Sequence, residues 1–397
     1  MKKAVILGGA RTPMSEWVGG KRGDGKPGGA LASVSAIDLG AVAAKGALEK
    51  TGMKPDEIDH VVMGNALQTS GDALYGARHV ALKAGMPQRV PGLTVNRLCG
   101  SGIQSVVDGA YLINDGTSYT VCGGMESMSQ APHVIRGARA GLKLGQGKLE
   151  DSLMVSLLDP VCGLLMAQTA ENLARRLEIS REEQDEFALR SIHLGEKASL
   201  GGLFDEEIVP VETKRAVVDK DDHYFVNATA EGLAALRPAF GKDGFVTAGN
   251  ASGMVDGAAA LVVADAEAAE RDGRTPLAEI VGWHIVGVDP AEMGIGPAPA
   301  ISGLLEKMGM SLGDIDLFEI NEAFSAQYLA VERDLGLDRD KVNVNGGAIA
   351  LGHPLGATGT RLLLTLTREL NARGATYGIA SACIGGGQGI AMLIKRA

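Results

Sequence analysis

Short runs of valine, isoleucine and leucine alternate with alanine-rich segments along most of the 397-residue chain. This alternation is typical of βαβ units around a buried sheet, so it predicts an α/β fold. This alternation occurs twice along the chain. Each half has a cysteine at a predicted strand end that is followed by glycines, in LCGSG at Leu98 and in CIGGGQG at Cys383. We therefore expect an internal duplication, with two similar halves packed together.

The predicted elements fall into two groups separated by a long section of different character. The first half has predicted strands near residues 3–7, 60–64, 93–96 and 119–123, and predicted helices near 37–51, 76–84 and 102–113. The second half has predicted strands near 278–288, 317–320, 341–344, 377–382 and 389–395, and predicted helices near 300–308, 323–335 and 359–373. The section between them reads as an insertion, after which a predicted helical segment, AGNASGMVDGAAAL, returns the chain to the core. The predicted domains are thus a first half, residues 1–123 completed by 254–275, an inserted loop domain, 124–253, and a second half, 276–397.

Composition excludes several classes of function. A hydrophobic fraction of 45% with 4% aromatic residues suits a soluble α/β protein, and the formal charge of −10 disfavours nucleic acid or an anionic membrane as the main partner. No apolar run approaches the length of a membrane span, and the first apolar run is too short for a signal peptide. Four widely spaced cysteines without a C-x-x-C pair argue against a disulfide scaffold or a metal site, so we expect a cytoplasmic protein.

The inserted section carries a local basic patch in this acidic chain. Residues 127–149 contain no aspartate or glutamate, but they include four cations, Arg136, Arg139, Lys143 and Lys148. A solvated surface loop is the ordinary interpretation. A segment that attracts an anionic small molecule is the functional one.

Cys99 is the first candidate for chemistry. Ile103, Val106, Val107 and Ala110 have helical spacing, so a helix is predicted directly after the Gly-Ser-Gly turn that follows the cysteine. Unpaired N–H groups and the dipole at a helix N-terminus favour a thiolate and lower a cysteine pKa. The alternative is a buried structural cysteine.

His353 is the histidine whose surroundings differ most from those of the other six. It lies in NVNGGAIALGHPLGATGTR, where several glycines bracket it and Pro354 stiffens the turn. So much backbone freedom around one histidine indicates a loop shaped to present it as a base for a thiol nucleophile. A structural histidine in a Gly-Pro loop is the alternative.

Two further motifs offer polar groups at strand ends. CIGGGQG, residues 383–389, allows backbone N–H groups to approach a ligand and form an oxyanion hole, and it equally suits a tight hairpin. FEINEAFSAQ places Asn321 at a helix start, where it either caps the helix or holds a water in a polar pocket.

Together the motifs closely resemble the thiolase family over nearly the whole chain. They are ARTP, NRLCGSG, GGMESMS, MAQTAENLA, LRPAF, TAGNASGMVDGAA, NEAFSAQ, NGGAIALGHPLGATG and CIGGGQG, in the family's order and spacing. The resemblance implies a duplicated five-layered α-β-α-β-α fold with an inserted loop domain. It also implies reversible acyl transfer, either thiolysis of 3-ketoacyl-CoA or condensation of two acetyl-CoA, through an acyl group on Cys99.

The resemblance also implies a role for each site residue. His353 takes the Cys99 proton and, with a water held by Asn321, binds the thioester oxygen during enolate formation. Cys383 is the second acid/base, and the N–H groups of Cys99 and Gly385 form the second oxyanion hole. Ser252 and Ala248 match positions that contact pantetheine, and Met166 and Phe324 match apolar residues beside the acyl pocket.

Other implications concern substrates and partners. CoA and acyl-CoA are expected as substrates without a further cofactor, and a homotetramer is expected because residues 127–149 occupy the place of the family's tetramer loop. Met166 and Phe324 favour acetoacetyl-CoA over long substrates, whereas Leu165, where short-chain members often have histidine, favours the longer-chain alternative. HYFVN replaces an expected basic residue near the adenine, and residues 14–29 form an unusually long loop without an assigned function. A non-catalytic scaffold is the competing class, and a decarboxylating ketoacyl synthase would lack the cysteine of CIGGGQG.

Overall fold

The computed structural model describes residues 2–19, 28–223 and 227–397. Half of the long loop 14–29 and part of HYFVN therefore lie outside the described residues. The strands are β1 (Ala4–Arg11), β2 (Ser15–Glu16), β3 (His60–Gly64), β4 (Gly92–Val95), β5 (Tyr119–Glu126), β6 (His133–Ile135), β7 (Leu149–Asp151), β8 (Leu158–Asp159), β9 (Leu164–Leu165), β10 (Val211–Glu212), β11 (Val217–Val218), β12 (Val255–Asp265), β13 (Ala278–Gly287), β14 (Leu317–Ile320), β15 (Tyr377–Ile384) and β16 (Gln388–Arg396). The helices are α1 (Ala36–Thr51), α2 (Gly76–Lys83), α3 (Ser101–Asn114), α4 (Ser152–Ser156), α5 (Met166–Arg176), α6 (Arg181–Leu200), α7 (Ala230–Ala234), α8 (Ala266–Arg271), α9 (Pro297–Met308), α10 (Ser325–Leu335), α11 (Ala348–Leu351) and α12 (Leu355–Arg373). None of these helices combines the length and apolar character that a bilayer crossing requires.

The main sheet runs in the order β14-β15-β16-β13-β1-β12-β5-β3-β4, with β2 paired to β12. The halves of the chain occupy opposite halves of this sheet, and they meet where β1 and β13 pair through only two residue pairs, Val5 with Glu279 and Ile6 with Ala278. Parallel pairing is confined to the outer strands, where β3 pairs with β4 and β5, and β14 pairs with β15. The predicted duplication is thus visible in the strand order.

Helices α3 and α12 form the central layer. Their buried aliphatic side chains share one core with inward-facing residues of strands from both halves. Helices α1 and α2 cover the outer face of the first half, and α9 and α10 cover that of the second. The predicted order of five layers, helix-sheet-helix-sheet-helix, follows directly from these three cores.

Two predicted elements are wrong. The run after Gly253, predicted to be helical, is strand β12, and every residue of it is buried. Its alanines and glycine bury both faces of a central strand, a setting in which periodicity does not distinguish strand from helix. The predicted strand at 341–344 is reduced to one bridge between Phe318 and Val342, because Asn343 has a positive φ of 47° and its side chain bonds both the N–H and the C=O of Ile320, each at 2.8 Å.

The inserted residues between β5 and β12 are fastened to the first strand by a buried arginine. Arg11 at the end of β1 is fully buried and forms ion pairs with Asp221, 2.7 Å, and Glu207, 2.9 Å. A buried cation needs this full set of partners, and removing one of them leaves an uncompensated charge. Arg11 therefore fixes the position of the inserted segment against the core.

Candidate active site

A cavity of about 260 Å³ opens between the inserted segment and the two halves. Seven of the nine predicted site residues line it: Cys99, His353, Gly385, Ser252, Ala248, Met166 and Phe324. The other two, Asn321 and Cys383, are fully buried behind its wall. The structure thus brings together residues from six separate stretches of the chain.

Cys99 lies in a single 3₁₀ turn, Leu98–Gly100, immediately before α3. The backbone N–H groups of Gly385 and of Cys99 itself act on the Cys99 thiol and lower its pKa. These are the two donors of the predicted oxyanion hole, so both already point at the position of the nucleophile. The placement at the N-terminus of α3 follows the sequence prediction.

The predicted low pKa of Cys99 is wrong for the resting site. Burial raises the pKa of this thiol to about 11, and the hydrogen bonds from the Gly385 and Cys99 N–H groups offset only part of that rise. Burial likewise lowers the pKa of His353 to about 3, with a further contribution from the Arg361 guanidinium. A neutral thiol therefore shares the cavity with a neutral imidazole, which can act as its base.

His353 is held in one tautomer. Its Nδ1 lies 2.6 Å from the Thr358 hydroxyl, and that hydroxyl lies 3.0 Å from the carbonyl oxygen of Pro354. Because the hydroxyl donates its single proton to Pro354, it accepts from Nδ1–H. Nε2 consequently carries the lone pair, which accepts a hydrogen bond from Asn321 Nδ2 at 3.3 Å in the resting site.

Asn321 follows β14 directly and is oriented through its neighbours. Its N–H bonds the carbonyl of Ser381 on β15 at 2.9 Å. The adjacent Glu322 is fully buried and accepts from Ser191 Oγ, 2.6 Å, and Asn343 Nδ2, 2.8 Å. Asn321 Oδ1 is buried and has no hydrogen-bond partner among the described residues, so this side chain keeps capacity for a ligand.

Cys383 ends the buried run of β15, just before the β15–β16 hairpin formed by the glycines of CIGGGQG. Burial, with a contribution from the neighbouring Cys99, raises the pKa of its thiol well above the ordinary value. The hairpin and the oxyanion-hole interpretations of this motif are compatible, since the same turn presents the Gly385 N–H to Cys99. All four cysteines of the chain are free thiols.

The wall that carries Ala248 and Ser252 is anchored by buried polar groups. Glu171 on α5 accepts from the N–H groups of Phe245 and Val246, both at 2.8 Å. The N–H of Ser252 bonds the Ala323 carbonyl at 3.0 Å. This wall is therefore tied to the segment between Asn321 and α10.

Sequence reasoning missed several residues of the site. Glu16, Trp17 and His223 line the cavity, and His223 Nδ1 forms a short contact with a Glu16 carboxylate oxygen. Thr358 could have been found from its position five residues after His353, near the start of α12. No sequence pattern pointed to His223, because its partner, Glu16, is 207 residues away in the chain. Among the described residues no three His, Cys, Asp or Glu side chains cluster as a metal ion would need.

A cysteine, a neutral histidine and preorganised backbone donors around one cavity define an enzyme that works through a thiol nucleophile. Comparison with known proteins identifies the class more closely. Residues 4–267 match the model of the thiolase N-terminal domain, and residues 274–396 match that of the thiolase C-terminal domain. The chain belongs to the thiolase family, and the predicted family and enzyme class are confirmed.

Relatives from two branches are similar over the whole chain. The mitochondrial 3-ketoacyl-CoA thiolase of Homo sapiens is 53% identical over 401 residues, which cover 100% of this chain and 98% of the relative. The acetyl-CoA acetyltransferase of Escherichia coli (strain K12) is 49% identical over 403 residues, with 100% of both chains covered. A crystal structure of human mitochondrial 3-ketoacyl-CoA thiolase in complex with CoA has a TM-score of 0.95 at 51% identity and covers 100% of this chain and 98% of that one. The predicted fold class is thereby confirmed.

Proposed function

We propose that the protein is an acyl-CoA C-acyltransferase that cleaves 3-ketoacyl-CoA with CoA and runs the reverse condensation of two acetyl-CoA. One observation carries the proposal: the Cys99 thiol, the His353 imidazole and the Gly385 N–H line a single cavity, with the Cys383 thiol directly behind it. A hydrolase needs one nucleophile and one base. A second thiol beside the first suits a reaction that must also handle a proton on carbon.

In the first half-reaction the Cys99 proton passes to His353 Nε2 as the sulfur attacks the keto carbonyl. Because both groups are neutral at rest, the transfer creates a charge pair only as the bond forms. The Thr358 hydroxyl, which accepts from Nδ1–H, stabilises the imidazolium in the correct orientation. The N–H groups of Cys99 and Gly385 stabilise the oxygen of the acyl group on Cys99.

Carbon–carbon cleavage expels an enolate, whose oxygen is bound by His353 and by a water that Asn321 holds. Cys383 protonates this carbanion in thiolysis and removes the corresponding proton in synthesis. The CoA thiol then gives its proton to the Cys383 thiolate and its sulfur attacks the acyl group. The Cys99 sulfur leaves and takes back its proton from His353, so the reaction follows ping-pong kinetics. All proton transfers are assigned to side chains of this chain, and no further cofactor is proposed.

CoA and acyl-CoA are proposed as the substrates. A related crystal structure is described as a complex with CoA, and Ser252 and Ala248 line the cavity where pantetheine would run. Arg237 is exposed two residues from Ala239, which also lines the cavity. It is proposed to meet the CoA phosphates in place of the basic residue absent from HYFVN.

Acetoacetyl-CoA is proposed as the preferred substrate, because Met166 and Phe324 line the cavity. A longer-chain enzyme is the second candidate, and a specific observation favours it. Leu165 also lines the cavity, and the apolar lining continues through Met128 and Leu157. A series of kcat/KM values over 3-ketoacyl-CoA of four to ten or more carbons separates the two candidates.

A homotetramer is proposed from the surface of the inserted segment. Several large apolar side chains of this segment are exposed: Ile135, Leu142, Leu144, Leu149 and Val161, the last at 85% and Leu144 fully exposed. Exposed apolar patches of this kind mark interaction sites. Light scattering is expected to show a tetramer for the native chain and a smaller species for Leu144→Ser combined with Leu149→Ser.

The basic patch is proposed to attract CoA. Arg136 is already paired with Glu150 at 2.8 Å, which leaves Arg139, Lys143 and Lys148 to supply most of the field. Replacing Arg136, Arg139 and Lys143 by serine should raise KM for CoA and flatten its salt dependence. An unchanged KM at low salt would remove the attraction from the proposal.

A cytoplasmic location is proposed from the four free thiols, which suit a reducing compartment. Several relatives are named mitochondrial, so microscopy of the tagged protein in its own cell tests this point. The activity itself is tested by incubating the protein with acetoacetyl-CoA and CoA. Formation of two acetyl-CoA per acetoacetyl-CoA supports the proposal, and no turnover with any 3-ketoacyl-CoA indicates a non-catalytic scaffold.

A further inference from the structure

A buried carboxylate that sequence analysis did not single out lies beside the site. Glu126 ends β5 and is fully buried. Its Oε1 accepts from Asn65 Nδ2, 3.0 Å, and Leu67 N, 2.9 Å. Its Oε2 accepts from Ala66 N, 3.1 Å, and Gly356 N, 2.9 Å. All four partners are N–H donors, an arrangement that suits an ionised carboxylate, although burial raises the pKa of Glu126 to about 7.

One branch of this network leads to the nucleophile. Ala66, held by Glu126, accepts through its carbonyl a hydrogen bond from Asn96 Nδ2 at 3.2 Å. Asn96 Oδ1 in turn accepts from the N–H of Leu98 at 2.9 Å. Leu98 has a positive φ of 46° directly before Cys99. Such a conformation costs energy in a leucine and persists only when the surroundings fix it.

The other branch leads to the base. Gly356, which donates to Glu126, lies three residues after His353 in the first turn of α12. The backbone there is packed against the ends of β3 and β5: a Cβ on Gly356 would lie 2.8 Å from the Gly64 carbonyl oxygen, and one on Gly124 would lie 1.7 Å from the Gly356 carbonyl oxygen. Only glycine permits this approach. The Glu126 carboxylate provides the side-chain hydrogen bond that holds it.

We propose that Glu126 is a positioning residue that fixes the Cys99 loop and the His353 loop relative to each other. The inference rests on the proposed function, because those two loops carry its nucleophile and base. The Glu126 carboxylate binds residues 65–67 on one side of this junction and Gly356 on the other, so it sets the geometry of thiol proton transfer without touching the substrate. Displacements on the order of 1 Å at such a site cost roughly 10²-fold in rate.

The test is Glu126→Gln. This change keeps the shape of the side chain but replaces one carboxylate oxygen by an NH₂ group, which cannot accept hydrogen bonds from the N–H donors that face it. Single-turnover acylation of Cys99 by acetyl-CoA and steady-state kcat are measured per acylatable site, which removes the contribution of unfolded protein. Both rates are expected to fall about 10- to 100-fold. KM for CoA should change less than about threefold, because the wall that carries Ala248 and Ser252 is held by Glu171 and not by Glu126.

Asp59→Asn is the matched control. Asp59 precedes the β3 strand and accepts from the N–H groups of Ser118 and Tyr119, 3.0 and 3.1 Å, at the opposite end of β5 from Glu126. It makes the same kind of contact away from the cavity. The amide variant is expected to leave kcat per site unchanged.

The outcomes separate the inference from the proposed function. Glu126→Gln with lower thermal stability but native kcat per labelled site would overturn the positioning role, whereas an unlabelled native protein would overturn the proposed function itself. If Glu126→Gln does not fold, Asn96→Ala tests the branch to Cys99, since Asn96 is exposed and its loss spares the core. Acylation of Cys99 is then expected to slow about threefold to tenfold, and an unchanged acylation rate would refute the branch.

Discussion

The two halves of the molecule build the same scaffold and use it differently. In the first half, Asp59 precedes β3 and binds the two N–H groups that open β5, at 3.0 and 3.1 Å. In the second half, Asp316 precedes β14 and binds the N–H groups of Thr376 and Tyr377, which open β15, at 2.8 and 2.9 Å. The halves differ at the opposite ends of β3 and β14, in how the asparagine that follows each strand uses its hydrogen-bonding groups.

Two asparagines in equivalent places make this difference concrete. Asn65 follows β3, and its amide donates to Glu126 and to the Met125 carbonyl, 3.0 and 3.1 Å. Asn321 follows β14, and its amide donates to His353 while its Oδ1 has no partner among the described residues. The Asn65 amide uses its N–H donors to hold protein groups, whereas the unpartnered Oδ1 of Asn321 leaves that side chain capacity to bind a ligand. At these positions the first half therefore supports the site, and the second half offers a side chain that can bind a ligand.

Catalysis nevertheless needs both halves. The nucleophile comes from the first half at the start of α3, and the base comes from the second half at the start of α12, the two helices that pack together in the central layer. Each half also contributes one thiol. The predictions below test how far the halves differ.

The largest effect is expected from exchanging the two thiols for alanine. Cys99→Ala should abolish both turnover and the acetyl label that acetyl-CoA leaves on the Cys99 peptide. Cys383→Ala should keep the label and lose about 10²–10⁴-fold in thiolysis, because the enolate lacks its proton donor. Peptide mass spectrometry and acetoacetyl-CoA cleavage measure the two quantities.

Cys99→Ser serves as the control, since a hydroxyl is a far weaker nucleophile at neutral pH. A label on Cys383 instead of Cys99, or full activity of Cys383→Ala, would overturn the roles assigned to the two thiols. The family assignment would survive that result, but the comparison of the halves would not.

The sequence sufficed for the parts of the fold that depend on local pattern. The strand and glycine pattern around Cys99 and Cys383 predicted the duplication, and the motifs placed His353 and Asn321 in the site. The failures have physical causes. Strand β12 is buried on both faces and carries no periodicity, and the Asn343 side chain replaces the strand pairing that its neighbours predict.

Charge was the least predictable property. Helix position alone predicted a thiolate at Cys99, yet burial, which depends on the whole fold, raises its pKa to about 11. The contacts of Glu126 could not be predicted for the same reason, because Gly356 is 230 residues away. Long-range contacts decide both properties, and a single sequence does not display them.

The charge state of the nucleophile gives the second prediction. With the Cys99 pKa raised to about 11, the thiolate fraction and hence alkylation by iodoacetamide should rise about tenfold per pH unit between pH 7 and 10, in total about a thousandfold. The alkylation rate rises with pH because deprotonation forms the reactive thiolate. At lower pH the neutral His353 does not stabilise that thiolate as an ion pair. A plateau below pH 8 would show that the helix N-terminus, not burial, controls the thiol.

The third prediction concerns the support of the base in the second half. Thr358→Val removes the acceptor for His353 Nδ1–H, so the imidazole loses its fixed tautomer and the imidazolium loses a partner. We expect kcat to fall about tenfold to a hundredfold with little change in KM. Thr358→Ser keeps the hydroxyl and should restore most of the activity. Equal losses in both variants would point to packing instead of tautomer control.

The smallest effect tests the equivalence of the scaffolds directly. Asp59→Asn and Asp316→Asn each replace a carboxylate that binds two backbone N–H groups by a neutral amide, and each should cost about 1 kcal/mol of unfolding free energy. The residues precede β3 and β14, which lie toward opposite ends of the sheet order, so the double variant should lose about the sum of the two. Neither residue reaches the cavity, and kcat should stay native in all three. Denaturant unfolding measures the stabilities, and a difference of more than about 1 kcal/mol between the single variants would show that the duplicated halves have diverged in their scaffold as well as in their chemistry.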